Sequence, residues 1–126
     1  MKSFFKQYEV TIWIIGAVLI VAALLVYSKV NTGVADGKYD SFAQCLAQRN
    51  VTMYGAVWCP WCQKEKANFG SSFRFVPYVE CPENTKKCLD LGIESYPTWI
   101  FSDGSRLVGY QGLEKLSLES GCPLPE

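Results

Sequence analysis

The sequence contains no histidine, and this absence excludes several kinds of catalytic and metal site. A Ser-His-Asp triad and a Cys-His pair are both impossible, and the chain has no imidazole to act as a general base. A Cys₂His₂ zinc finger is excluded for the same reason. Catalysis by this chain would therefore depend on thiols, carboxylates, lysines, tyrosines or backbone dipoles.

The sequence also lacks net charge, because its 12 Lys and Arg balance its 12 Asp and Glu. This balance gives no broad electrostatic attraction to phosphate backbones, so we expect no nucleic-acid partner. The length of 126 residues supports one domain, and the 49% of hydrophobic residues is typical of a globular chain. Its 6 cysteines make thiol chemistry the first candidate function.

One long apolar run extends from Val10 to Tyr27 and contains no charged residue. As an α-helix it would be about 27 Å long, which is close to the ~30 Å hydrocarbon core of a membrane. Trp13 and Tyr27 lie near its ends, where aromatic side chains favour the membrane interfaces. We interpret residues 1–28 as an N-terminal membrane anchor.

A cleaved signal sequence is the alternative interpretation of this segment. Lys2 and Lys6 provide a positive N-terminal region, and Gly33-Val34-Ala35 is an acceptable cleavage site. However, the apolar run is longer than the usual core of a signal peptide, and Ala35 lies well beyond its end. These features favour a retained anchor.

The cysteines indicate on which side of the membrane the rest of the chain lies. Lysines flank the apolar run on both sides, so their count gives little orientation. All six cysteines follow the run, and this usage favours an oxidising compartment. We therefore expect a single-pass protein of the cell membrane, with a cytoplasmic N-terminus and an extracytoplasmic (periplasmic or extracellular) domain.

The soluble part is predicted to consist of a linker, residues 29–38, and one small α/β domain, residues 39–126. Helical and strand patterns alternate along this domain, which is typical of helices packed on a central mixed sheet. The expected elements are a helix capped by Asp40 or Ser41, a strand over 51–57, a helix from Pro60 to Gly70, a strand over 75–81, a helix over 83–91, a hairpin of strands over 98–101 and 106–110, and a helix over 113–120.

Cys59-Pro60-Trp61-Cys62 lies between the first predicted strand and the helix that follows it. Two cysteines with this spacing at a helix start can bring their sulfurs within bonding distance. The helix dipole and its free N–H groups stabilise a thiolate on the first sulfur. We therefore predict Cys59 as the nucleophile and Cys62 as the resolving thiol.

A four-thiolate zinc site is the competing interpretation, because Cys81 and Cys88 could join Cys59 and Cys62 as ligands. Six residues separate Cys81 from Cys88, whereas structural zinc sites usually have two to four, and an extracytoplasmic site would be open to oxidation. We expect neither a metal nor another cofactor.

From about Tyr39 to its end, the chain resembles thioredoxin-fold proteins through Trp58–Cys62 and through Tyr96-Pro97-Thr98. It is more closely similar to the thioredoxin-like domain fused to, or encoded beside, bacterial homologues of vitamin K epoxide reductase. The matching segments are Met53–Ala56, Trp58–Pro60, Phe69-Gly70, Tyr78–Cys81, Cys88, Tyr96–Trp99 and the region of Gly109.

The resemblance implies a thioredoxin-like fold and a thiol–disulfide oxidoreductase that acts on client proteins. It implies a cis Pro97 beside the two cysteines, with backbone groups of Tyr96 holding a client strand. It also implies a partner, a four-helix membrane quinone reductase that re-oxidises the dithiol. Trp58, Trp61 and Thr98 complete the expected client-binding residues, whereas Trp99 and Tyr54 are expected in the core.

The resemblance also bears on the other four cysteines, for which three pairings, or reduced core thiols, are possible. In the resembled family the positions of Cys81 and Cys88 commonly occur together, which favours a bridge between them and leaves Cys45 to pair with Cys122.

Two departures from the family leave the direction of electron transfer open. Trp61 stands where the closer relatives often have histidine, and Met53 stands where thioredoxins have a buried aspartate. A client-specific reductase, as in cytochrome c maturation, is therefore an alternative function. A redox-inert binding module with a permanent Cys59–Cys62 bridge is another.

Overall fold

The computed structural model describes the backbone of residues 2–31 and 37–126, and the side chains of residues 8–27 and 37–126. The chain divides into two compact units, with the division between Ala35 and Asp36.

The first unit contains one long helix, α1 (Lys2–Asn31). Its segment Tyr8–Tyr27 is long and apolar enough to cross a membrane, a property that it shares with signal sequences. Residues 29–31 of the predicted linker continue the helix. These residues include no glycine or proline that would end it. The rest of the linker up to residue 36, including the possible cleavage site at Gly33–Ala35, lies outside the described residues.

The second unit is built on a four-stranded mixed sheet of β1 (Thr52–Gly55), β2 (Tyr78–Glu80), β3 (Thr98–Ile100) and β4 (Arg106–Val108). Across the sheet the strands lie in the order β2-β1-β3-β4. β1 pairs in parallel with β2 and antiparallel with β3, and β3 pairs antiparallel with β4. The predicted α/β, thioredoxin-like fold is confirmed. The helices of this unit are α2 (Asp40–Gln48), α3 (Pro60–Phe69), α4 (Thr85–Asp90) and α5 (Leu113–Ser120), and 3₁₀ turns lie at Gly70–Phe75 and Cys81–Glu83.

The core lies on both faces of the sheet, because successive residues of a strand point to opposite sides. Met53 and Trp99 lie in the larger cluster, with Phe42 of α2 and Leu116 of α5. Tyr54, the neighbour of Met53, belongs to a smaller cluster on the other side. The central strand is therefore buried on both faces, which explains its nearly continuous apolar sequence.

Some predicted boundaries differ from the structure for local reasons. β1 ends at Gly55 instead of residue 57, because the chain turns there toward the two cysteines. The edge strand β2 starts only at Tyr78, immediately after Pro77, which has no N–H to donate. The predicted cap of α2 is wrong, because Asp40 lies in its first turn and its carboxylate pairs instead with Arg74 at 2.6 Å.

Two disulfides hold the domain. Cys45 of α2 is bonded to Cys122, which follows α5, and Cys81 is bonded to Cys88 of α4. These are the two pairings that the resemblance implies, so these four cysteines are not reduced core thiols. Arg49 strengthens the first connection by donating from Nη1 to the carbonyl oxygen of Ser120 at 2.9 Å.

Candidate active site

Cys59 and Cys62 lie at the N-terminus of α3, directly after the turn that ends β1. The N–H of Cys59 donates to the carbonyl oxygen of Ala56 at 3.1 Å and so closes this turn. Cys59 is the N-cap residue of α3, and its Sγ accepts the N–H of Cys62 at 3.2 Å. Pro60 suits the first helical position because the N–H that it lacks would have no partner there. The sulfur of Cys59 thus lies at the positive end of the helix dipole, which favours a negative charge on it.

The two thiols are both free, but they differ in exposure. Cys59 is 5% exposed and Cys62 is 0% exposed. This is the order expected from the motif, in which the first cysteine lies nearer the surface and the second lies one turn further in. Cys59 is therefore the more accessible of the two thiols.

The surroundings of Cys62 favour its neutral thiol. Burial raises the pKa of Cys62 to about 12, its side-chain hydrogen bond with Cys59 acts in the same direction, and the charge of Lys66 acts weakly against them. Gly55 of β1 faces the sulfur so closely that a Cβ on it would lie 2.8 Å from Cys62 Sγ. Cys62 therefore carries its proton at neutral pH in the reduced protein.

The loop before β3 lies beside the cysteines, and its Tyr96–Pro97 bond is cis, as the resemblance implies. The thiol of Cys59 contacts the carbonyl oxygen of Tyr96 at 3.7 Å. The side chain of Thr98 is buried, and its hydroxyl donates to the carbonyl oxygen of Ser95 at 2.7 Å, so the client contact expected of Thr98 stays a prediction. Pro97 is also fully buried, so backbone groups of this loop face the pair.

Exposed aromatic side chains flank the cysteines. Trp58 and Trp61 are 66% and 55% exposed, and the edge of Trp58 packs on the half-buried Tyr96. Trp61 lies 6.0 Å from Tyr110 between ring centroids, a contact that sequence analysis missed. Lys64 reaches over both of these rings. Trp99 and Tyr54 are buried, in agreement with their expected place in the core.

Sequence analysis also missed Glu65, which is fully buried on α3. Its carboxylate accepts the backbone N–H groups of Gln111 at 2.8 Å and Gly112 at 3.0 Å. Burial raises the pKa of Glu65, and these two hydrogen bonds act against that shift. The contact ties α3 to the loop after β4, and Gly109 of this loop donates to the carbonyl oxygen of Pro97 at 2.7 Å. A sequence signal existed, because Glu65 follows Cys62 by three residues and so shares its helix face.

The pair formed by Tyr78 and Glu80 was missed as well. The hydroxyl of Tyr78 donates to Glu80 Oε2, and Glu80 Oε1 accepts the N–H of Val57 at 2.8 Å. Burial and the neighbouring carboxylate of Glu80 raise the pKa of Tyr78. The period of two in a strand predicts that both side chains lie on one face of β2, but it does not predict that this face lies near Cys62.

A four-thiolate zinc site is not available in this structure, because Cys81 and Cys88 are bonded to each other. Within the described ranges, no cluster of three or more Cys, Asp or Glu side chains is arranged to hold a metal ion. The remaining pair, Cys59 and Cys62, has the arrangement of a dithiol that can close to a disulfide.

The chain is similar over part of its length to curated proteins of known name. No protein-family model matches it. It is 39% identical over 72 residues to the thiol–disulfide oxidoreductase LTO1 of Arabidopsis thaliana, covering 50% of this chain and 19% of that protein. It is 32% identical over 91 residues to the thioredoxin domain-containing protein 5 homolog of Drosophila melanogaster, covering 61% of this chain and 22% of that protein. The chain thus spans about a fifth of the length of these curated relatives.

Solved structures of low sequence identity also align with the domain. Thioredoxin NaTrxh from Nicotiana alata is 22% identical, with a TM-score of 0.45 over 56% of this chain and 70% of that one. The glutaredoxin from Methanosarcina mazei Go1 is 24% identical, with a TM-score of 0.44 over 56% of this chain and 77% of that one. The fold assignment rests on the sheet order and strand directions described above.

Proposed function

We propose that this chain is a membrane-anchored thiol–disulfide oxidoreductase that exchanges disulfides with extracytoplasmic proteins through Cys59 and Cys62. The observation that carries the proposal is the difference between two free thiols at one helix start. Cys59 keeps 5% of its surface exposed and its sulfur accepts a helix N–H, whereas Cys62 is fully buried behind it. The name of the Arabidopsis relative, a thiol–disulfide oxidoreductase, agrees with this chemistry.

The oxidising reaction begins with the Cys59–Cys62 disulfide. A client thiolate attacks Cys59 Sγ, forms a mixed disulfide and displaces Cys62 as a thiolate, which takes up a proton. A second client thiolate then attacks the client sulfur of the mixed disulfide and displaces Cys59. The client leaves with a disulfide, and the protein keeps two electrons as a dithiol. The carbonyl group of Tyr96 and the exposed rings of Trp58 and Trp61 are available to hold the client strand beside Cys59.

A membrane quinone reductase of the vitamin K epoxide reductase type is the proposed electron acceptor. The resemblance of the motif segments supports this partner, and the apolar helix Tyr8–Tyr27 would keep the domain at the same membrane. Replacing Cys62 with Ser would leave the mixed disulfide unresolved, so a partner attacked by Cys59 would stay covalently bound. Recovery of a quinone reductase from cells carrying Cys62→Ser, but not Cys59→Ser, would support this partner. Recovery of client proteins alone would contradict it.

The reduction potential of the Cys59–Cys62 pair is the central test. The purified protein would be equilibrated in glutathione and dithiothreitol buffers, and its free thiols would be counted by alkylation. A value of about −120 to −180 mV is the range of oxidants and isomerases and would support the oxidising direction. A value of about −270 mV, the range of thioredoxin, would favour the client-specific reductase. The absence of an imidazole at position 61, where the chain has Trp61, agrees with that alternative.

A redox-inert binding module is the alternative outside enzyme function. In that case the Cys59–Cys62 bridge would not equilibrate with either buffer, and Cys59→Ala would leave the biological activity of the chain unchanged. The same titration therefore separates all three candidate functions.

A further inference from the structure

Tyr78 lies across a small space from the buried thiol of Cys62 and is hydrogen-bonded to Glu80, and the mechanism above uses neither residue. The hydroxyl of Tyr78 donates to one carboxylate oxygen of Glu80, and the other oxygen accepts the N–H of Val57 at 2.8 Å. Both side chains are half-buried at the end of β2. The pair is therefore held in place on both sides, by the edge strand and by the turn that leads to Cys59.

Gly55 allows Tyr78 to lie close to Cys62. A Cβ on Gly55 would lie 2.8 Å from Cys62 Sγ, 3.2 Å from Cε2 of Tyr78 and 3.4 Å from its hydroxyl oxygen. The thiol and the phenol thus border the same small space, which exists because residue 55 has no side chain. A larger residue there would separate the two groups.

Cys62 needs a proton partner in both directions of exchange. Its burial favours the neutral thiol, yet the sulfur must be a thiolate when it attacks Cys59 and becomes one when it is displaced. Of the neighbouring titratable groups, Cys59 raises the pKa of Cys62 and Lys66 lowers it, and Cys62 in turn raises the pKa of Tyr78. Lys66 holds its ammonium 3.6 Å from the ring centroid of Tyr78 and has no proton-accepting site while charged. Glu65, the other carboxylate on this helix, is occupied by the N–H groups of Gln111 and Gly112.

We propose that Tyr78 and Glu80 carry the proton of Cys62 during disulfide exchange, an inference that rests on the proposed function. In the mixed disulfide, the thiol proton of Cys62 moves to the hydroxyl oxygen of Tyr78 as the proton of Tyr78 moves to the carboxylate of Glu80. The sulfur of Cys62 then attacks Cys59 Sγ with its electron pair. The Cys59–Cys62 bond forms, the bond from Cys59 to the client breaks, and the client sulfur leaves as a thiolate with the bonding pair. Glu80 returns its proton to solvent.

The reverse reaction uses the same path. When a client thiolate opens the Cys59–Cys62 disulfide, Cys62 leaves as a thiolate and takes a proton from Tyr78. Glu80 takes up a proton from solvent and passes it to Tyr78, so the hydroxyl group is restored. Tyr78 is the group in the space beside the thiol, and Glu80 acts through it. The two variants should therefore affect the same step, the step in which Cys62 reacts.

The test separates the reactions of the two cysteines in time. The reduced full-length chain, in detergent, would be mixed with one equivalent of 5,5′-dithiobis(2-nitrobenzoate) between pH 5 and pH 9. Attack by Cys59 releases a first coloured thiolate, and closure by Cys62 releases a second. Tyr78→Phe keeps the ring beneath Lys66, and Glu80→Gln keeps an amide oxygen that can accept the N–H of Val57. Glu83→Gln is the matched control, because it removes the same charge from an exposed residue of the neighbouring turn.

We expect Tyr78→Phe and Glu80→Gln to slow the second release at least about tenfold at pH 7 and to leave the first release unchanged. In both variants the rate of the second release should rise about tenfold per pH unit, because hydroxide must then remove the thiol proton of Cys62. The wild-type protein and Glu83→Gln should show a flatter profile. Added small buffer bases should restore part of the lost rate in the two variants.

Two results would overturn the inference. One is a second release with the same rate and pH profile in all four proteins. The other is equal slowing of both releases, which would mean that the substitutions disturb the whole site. A wild-type protein that shows no first release would instead contradict the proposed function, so the two failures are distinguishable.

Discussion

The domain contains two kinds of cysteine pair, and burial alone does not distinguish them. Cys59, Cys81, Cys88 and Cys122 are all buried. The difference lies in what surrounds the sulfurs. Cys59 accepts a helix N–H and lies beside exposed aromatic rings and the carbonyl group of Tyr96. The disulfide-bonded pairs instead join segments of the fold, residues 45 to 122 and residues 81 to 88.

The cysteine pairs also differ in the length of chain that each pair closes into a loop. The reactive pair closes a ring of only four residues at a helix start. Its oxidation therefore removes little conformational entropy from the unfolded chain. The Cys45–Cys122 pair spans 77 positions and closes most of the domain into one loop. We therefore expect the first pair to control activity and the second to control stability.

The largest expected effect is the loss of activity in Cys59→Ser. Because serine is a far weaker nucleophile than cysteine near neutral pH, disulfide exchange should fall by more than about a thousandfold. Reduction of insulin and oxidation of a client dithiol would both be measured. Thermal unfolding of the same variant should stay close to that of the reduced wild-type protein. Retained exchange activity would show that another cysteine is the nucleophile.

The second prediction concerns the double variant Cys45→Ala, Cys122→Ala. Opening a loop of 77 positions should lower the free energy of unfolding by about 4 kcal/mol in the chain-entropy model. The double variant Cys81→Ala, Cys88→Ala opens a loop of 7 positions and should cost only about 2 kcal/mol. Urea unfolding at 25 °C would measure both. Equal losses, or a larger loss for the short loop, would contradict this division.

The third prediction is that Gly55→Ala destabilises the domain by about 1–3 kcal/mol, because the new Cβ would lie 2.8 Å from Cys62 Sγ. The substitution would crowd the reactive pair without touching either structural disulfide. Combining it with Cys62→Ala removes the crowded sulfur and should recover most of the loss. Additive losses in the double variant would show that Gly55 is needed for another reason.

The smallest expected effect is a change in the pH dependence of stability in Glu65→Gln. Burial raises the pKa of Glu65 in the folded state, so the folded protein holds this proton more tightly than the unfolded chain. Its contribution to stability should therefore decrease as the pH rises from the ordinary pKa of glutamate through the raised one. Urea midpoints at several pH values, compared between wild type and Glu65→Gln, would measure this. If the urea midpoints of the two proteins differed by the same amount at every pH, the raised pKa of Glu65 would be contradicted.

Local patterns predicted most of the architecture. Apolar runs, glycines and prolines predicted the order of helices and strands in the domain, because these signals act within a few residues. The spacing of Cys59 and Cys62 after a strand also predicted the candidate reactive pair. Errors fell at places where distant residues intervene. Asp40 was expected to cap α2, but Arg74, which is 34 positions away, binds its carboxylate.

The same distinction applies to the candidate site. Its thiols, its cis proline loop and its exposed tryptophans lie in segments that can be recognised one at a time. Glu65, Tyr78, Glu80 and Tyr110 acquire their roles only through partners elsewhere in the chain. Glu65 meets Gln111 and Gly112 because α3 packs against the loop after β4. Tyr78 lies near Cys62 because β2 pairs with β1 and Gly55 has no side chain to fill the space between the two groups.

The sequence by itself therefore determined the apolar helix, the order of elements and the dithiol motif, since each depends on short-range periodicity or spacing. Only the tertiary structure decided which carboxylates face the helix that carries the cysteines and which residues share the space beside Cys62. Those contacts depend on strand pairing and loop packing between residues far apart in the chain, and no local pattern specifies them.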